Sequence, residues 1–139
     1  MISFNELWKG HPGWGSSPCN FDNQCAVRMG VALAESKVDL SSFKGVRCWH
    51  GHTPKHILRA QELANWIAKN LALFGQKKVY KRKDFPKMSY VDFDGKKGIV
   101  FIKDGWGATD HIDLWDGYSM KGGDASYLLE GTEIWFWRL

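Results

Sequence analysis

Phe21-Asp22-Asn23-Gln24-Cys25-Ala26-Val27-Arg28-Met29-Gly30 decides how the chain folds, because it sets a cysteine at the start of what reads as a core helix. Asn23, or Asp22 just before it, is a good N-cap, and Ala26, Val27, Met29, Val31, Ala32 and Leu33 then recur at helical spacing. This puts Cys25 at about the second helical position. Backbone N–H groups there have no partner in the helix ladder, and the positive end of the macrodipole favours a thiolate. One turn thus offers a nucleophile and, in the N–H of Cys25 itself, a place for the oxyanion of an acyl-transfer intermediate. The bland alternative is a small buried cysteine on a packed helix, so the partner residues have to decide.

Upstream, Phe4, Leu7 and Trp8 stand one turn apart and predict a short helix, followed by the loop His11-Pro12-Gly13-Trp14-Gly15-Ser16-Ser17-Pro18. Downstream, the cysteine helix is expected to end near Glu35 or Ser36, with a loop over residues 36–45. A longer helix follows, with Thr53 as N-cap, Pro54 at the first position and Gly75 as terminator. Its apolar stripe is Ile57, Ala60, Ala64, Ile67, Leu71 and Phe74, widened by Leu63 and Trp66. Residues 76–88 read as a basic linker. The pattern then turns to strands: Gly98-Ile99-Val100-Phe101-Ile102-Lys103 is apolar enough to be a central strand covered on both faces. After the turn Asp104-Gly105-Trp106-Gly107 the side chains alternate, with His111, Asp113 and Trp115 on one face and Ile112 and Leu114 on the other. Glu133-Ile134-Trp135-Phe136-Trp137 makes the last strand. Helices before strands predict an α+β class with a mostly antiparallel sheet.

At 139 residues the chain is expected to be a single domain over residues 1–139, with a core that needs neither disulfide nor metal. The eight Trp and eight Phe call for a tightly packed interior or a ring-lined groove. A net charge of +4 suits an acidic partner without choosing one. The lysines at 77, 78, 81 and 83, with Arg82, form the densest basic run and read as a solvated loop. Three cysteines leave at least one unpaired within the chain, and a Cys19–Cys48 bridge would keep Cys25 reduced. No signal-like or membrane-spanning apolar run is present. Synthesis in the cytoplasm is expected, with transport elsewhere by a route other than a cleaved signal, and no membrane insertion.

A cysteine nucleophile needs a base, and the base needs an orienting group. His111 is the only histidine inside a predicted strand and can pair with Cys25. For the orienter, Asp124 is preferred and Asp113 is kept in reserve. Two strand positions span about 7 Å, which is far for a direct hydrogen bond between His111 and Asp113.

Asn23-Gln24-Cys25-Ala26-Val27-Arg28-Met29-Gly30-Val31-Ala32-Leu33 resembles the nucleophile helix of the fourth family of type VI secretion amidase effectors. Gly95 to Lys103 with Gly105-Trp106, and His111-Ile112-Asp113-Leu114-Trp115-Asp116-Gly117, resemble that family's histidine strand and the stretch before it. The resemblance implies a papain-like fold of the NlpC type, with the nucleophile at a helix N-terminus packed on the sheet that carries the histidine. It implies cleavage of the D-glutamate to meso-diaminopimelate amide in peptidoglycan stem peptides by a cysteine, histidine and aspartate triad, with no cofactor or metal. Cys25 and His111 carry over directly. The loop leading to Asp124 looks about two residues longer than the family's, which adds weight to Asp113. It further implies delivery by the type VI apparatus into a rival's periplasm and neutralisation by a cognate immunity protein. Asn23 and Gln24 beside the nucleophile, and Trp14, Trp49 and Trp106 at loops or element ends, are the candidate substrate contacts.

Two rival readings stand beside it. Cys48, His50, His52 and His56 bring zinc-type ligands together, although their spacing fits no finger pattern. A noncatalytic module for cell-wall glycan or nucleic acid would use residues 77–83 and exposed rings; no recognised nucleic-acid motif supports it, and nucleic acid is not expected as a partner.

Overall fold

Ile99, Val100, Phe101 and Ile102 are all buried, and because successive strand side chains point to opposite faces, these four feed two separate cores. They belong to β2 (Gly98–Trp106) in a computed structural model that describes residues 1–14, 24–48 and 56–139. The sheet order is β1 (Lys78–Lys81), β4 (Glu133–Arg138), β2, β3 (Thr109–Trp115), with every neighbouring pair antiparallel. β2 is therefore interior, as its apolarity predicts. Ile99 and Phe101 pack with Ile112, Leu114 and Trp137 against the helices, whereas Val100 and Ile102 join Phe93, Trp115, Leu128 and Ile134 in the other core.

The helical layer forms for equally local reasons. In α1 (Phe4–Gly10) the Ser3 hydroxyl caps the Glu6 N–H, and the Phe4 and Trp8 rings lie 5.7 Å apart, one turn along the helix. α2 (Cys25–Glu35) buries Cys25, Ala26, Val27, Met29, Ala32 and Leu33, and it stops at Ser36 as its pattern predicts. α3 (Ala60–Lys69) and the single turn α4 (Leu71–Phe74) carry the stripe of Leu63, Ala64, Ile67 and Phe74. Gly75 terminates α4 with a φ of 75°, a conformation glycine adopts without strain. No described helix is long and apolar enough to cross a membrane.

Two expectations need correction. The second helix does not run from Thr53 and Pro54, which lie outside the described residues; it begins at Ala60. Ile57 instead bridges Arg47 in an antiparallel pair, and the flanking Leu58 N–H bonds the Val46 carbonyl at 3.2 Å. A buried isoleucine serves a helix stripe or an extended pair equally well, so periodicity alone misassigned it. Nor are residues 76–88 all linker. Residues 78–81 form edge strand β1 against β4, with lysines that keep the open edge from pairing further. Arg82 is no solvated cation either. Its guanidinium donates to the carbonyls of Met88 at 2.6 Å, Glu130 at 2.7 Å, and Gly131 and Leu128 at 3.1 Å, stapling β1 to the loop before β4.

Candidate active site

Cys25 is the first residue of α2, 5% exposed, with Sγ 3.9 Å from the Asp110 carbonyl oxygen of β3. Gln24 is the N-cap, without a side-chain cap bond; its carbonyl takes the Arg28 N–H at 2.9 Å and starts the ladder. The helix thus begins one residue later than a cap at Asn23 would set it, and Asn23 and Asp22 lie outside the described residues. A cysteine at the first position keeps its backbone N–H at the positive end of the macrodipole.

On β3, the residue after Asp110 is His111, 9% exposed, whose Nε2 is 2.8 Å from Asp113 Oδ2. The other ring nitrogen, Nδ1, is left for the Cys25 side chain. Burial by itself would lower the imidazole pKa. Its hydrogen bonds to Asp113 and to Cys25, together with the negative charge on both, outweigh that and raise it to about 9. At neutral pH this ring is an imidazolium beside a sulfur at a helix tip, the charge arrangement that an activated thiol needs.

The geometry brings the reserve aspartate, Asp113, and not the preferred Asp124, to the imidazole. Asp113, 1% exposed, meets the imidazole directly because both side chains rise from one strand face and lean together across the two-residue backbone spacing. Its Oδ1 also accepts the Leu114 N–H at 2.8 Å and the Gly122 N–H at 3.0 Å. Asp124 faces solvent and caps the 3-10 turn Ala125–Leu129, where its Oδ1 accepts the Ser126 N–H at 2.9 Å. That backbone bond holds the Asp124 carboxyl below the ordinary carboxylate range.

Several residues of the site escape sequence reading. His11, the C-cap of α1, is buried with Nε2 3.5 Å from Asp113 Oδ1. Tyr127 sets its ring perpendicular to the His111 imidazole at 5.0 Å and edge-on to Trp106 at 4.9 Å. Gly122 approaches so closely that a Cβ there would stand 3.0 Å from the His11 ring. The adjacent Gly122-Gly123 pair, a sign of close backbone approach, is the one clue among these that the sequence offers.

Of the candidate substrate contacts, Trp106 ends β2 with its ring 6.2 Å from that of His111 and partly open to solvent. Trp14 is 65% exposed, with the Arg28 guanidinium 5.7 Å from its ring. Trp49 lies outside the described residues. Among the rival metal ligands, Cys48 Sγ is 3.8 Å from His56 Nδ1 and accepts the His56 backbone N–H at 3.1 Å. His50, His52 and the suggested bridge partner Cys19 are outside the described residues. A cleft of about 600 Å³ lies along Val31, Ala34, Val38, Leu40 and Ile57, with neither Cys25 nor His111 in its wall, so volume and chemistry part company.

The whole fold has solved counterparts. The chain superposes on the amidase effector of the Tae4–Tai4 effector–immunity complex from Salmonella Typhimurium with a TM-score of 0.76 at 19% identity, covering 100% of this chain and 99% of the other. For Tae4 from Enterobacter cloacae the TM-score is 0.73 at 18% identity, covering 100% and 97%. No match was found among curated proteins. Those structures share the α+β papain-like architecture described above. Residues 21–137 match the family model of the type VI secretion system amidase effector protein 4, Tae4, and the chain belongs to that family.

Proposed function

We propose that this amidase effector cleaves the D-glutamate to meso-diaminopimelate amide of peptidoglycan stem peptides through Cys25. The Cys25 thiolate attacks the scissile carbonyl, and the oxyanion takes the Cys25 backbone N–H. His111 then gives its proton to the departing diaminopimelate amine, and afterwards removes one from the water that releases the acyl group. Asp113 holds the imidazole in the orientation both transfers require. The reading is supported above all by the line from Asp113 Oδ2 to His111 Nε2 at 2.8 Å and on to the sulfur at the α2 tip. Family membership supplies the amidase class and type VI secretion.

The partners follow from the same membership. The substrate lies in the periplasm of a target cell, and the relatives solved with Tai4 support a cognate immunity protein for this chain too. Incubation with purified muropeptides tests the chemistry: new diaminopimelate amines should appear with the wild type and vanish with Cys25→Ala or His111→Ala, each still folded by circular dichroism. A Cys25→Ala protein that still cuts would defeat the cysteine mechanism. A wild type that binds muropeptides without cutting would restore the noncatalytic module.

A further inference from the structure

We propose that His11 is a positioning residue of the hydrolytic site, donating from Nε2 to Asp113 Oδ1 so that Oδ2 stays aimed at His111. This rests on the assignment of Cys25, His111 and Asp113 as the hydrolytic residues.

The bond pattern fixes the proton. His11 Nδ1 accepts the Gly13 N–H at 2.9 Å, so the hydrogen of the neutral ring sits on Nε2, which faces Asp113 Oδ1 at 3.5 Å. Only one tautomer satisfies both contacts. The Gly13 N–H holds the ring from one side, and the His11 backbone N–H is anchored to the Leu7 carbonyl at 3.0 Å. The imidazole is therefore locked from two sides. Around the Asp113 carboxylate the donors divide by oxygen. Oδ1 accepts the N–H groups of Leu114 and Gly122 and lies 3.5 Å from His11 Nε2; Oδ2 meets His111 at 2.8 Å and shares the Gly122 N–H at 3.2 Å. Two backbone N–H groups hold Oδ1, and the His11 Nε2–H beside it is placed to add a third restraint against rotation of the carboxylate away from the base.

His11 acts as a donor and not as a second cation. Burial dominates and pushes its pKa down to about 4; Asp113 opposes this, while Lys121, Arg28 and His111 add to it. A charged His11 would compete with His111 for the same carboxylate and weaken the imidazolium. The neutral ring supplies a hydrogen bond without that competition.

Substitution and spectroscopy test this together. His11→Phe fills the volume without a donor, whereas His11→Gln can place an amide N–H near the position of Nε2. With muropeptide substrate, His11→Phe is expected to lose about 10- to 100-fold in kcat with KM little changed. Its alkaline limb of kcat/KM, expected near pH 9 for the wild type, should fall to lower pH. His11→Gln should recover most of both. A folded His11→Phe with wild-type kcat and an unmoved limb, or a folded His11→Gln no better than His11→Phe, would overturn the proposal. If His11→Phe does not fold, ring-nitrogen NMR of the 15N-histidine-labelled wild type decides. A neutral Nε2–H tautomer from pH 5 to 8 is expected, and an Nδ1–H tautomer or titration near pH 6.5 ends the idea. Failure of Cys25→Ala to abolish turnover would count against the cysteine mechanism instead, so the two failures are distinguishable.

Discussion

Asp113 is the residue whose environment most constrains the chemistry, since its carboxylate serves two imidazoles and two backbone amides at once. Asp113→Asn keeps the shape and removes the charge that sustains the His111 imidazolium. kcat should drop by about four orders of magnitude, as for orienting aspartates in other triads. The sign of the pH effect follows from the raised pKa. The ion pair persists below about pH 9 and is lost as pH rises through that value, so removing Asp113 moves the alkaline limb downward. Asp124→Ala should leave kcat unchanged in the same assay, because its carboxylate is spent on Ser126. Cys25 and His111 were legible in the sequence through helix position and strand pattern. Asp113 was harder, because backbone rise counts the distance between Cα atoms and says nothing of how two side chains on one face converge. His11 was illegible: nothing in His11-Pro12-Gly13 foretells that a turn near the N-terminus folds back onto a strand a hundred residues later.

At the level of elements, the connection after β3 matters as much as the strand. Gly122 donates to both oxygens of Asp113, and a methyl there would press to 3.0 Å from the His11 ring. Gly122→Ala is therefore expected to cost activity more than stability: kcat about tenfold down with a thermal midpoint lowered by only a few degrees. Kinetics alongside a melting curve would show whether the two separate. The opposite balance holds for Arg82, which touches no reacting group. Arg82→Ala leaves four carbonyls without their guanidinium donor and should lower stability by on the order of 2 kcal/mol, read as a shift in urea midpoint, with kcat intact. Strand β2 was plain in the sequence because a run buried on both faces has no amphipathic competitor. β1 was hidden because an edge strand of four residues, lysine at each end, carries the composition of a loop.

For the whole molecule, two buried histidines on one carboxylate tie folding to pH with opposite signs. His111 has its pKa raised, so its contribution is complete below pH 6.5 and fades as pH climbs through about 9. His11 has its pKa lowered, so stability falls as pH drops from 6.5 toward 4, by on the order of 3 kcal/mol. A urea-midpoint profile should therefore peak near pH 6.5 with two sloping arms. His11→Gln should flatten the acid arm and His111→Gln the alkaline one; a profile whose arms ignore both substitutions would refute the assignment. The strand order carries a temporal consequence as well. β4, the last strand to be translated, lies between β1 and β2, so the sheet that supports His111 has a gap until residues 133–138 leave the ribosome. Cys25 emerges more than a hundred residues earlier, ahead of the whole sheet against which α2 packs. A chain cut short before residue 133 lacks the strand that joins β1 to β2, and is expected to show no turnover of muropeptides.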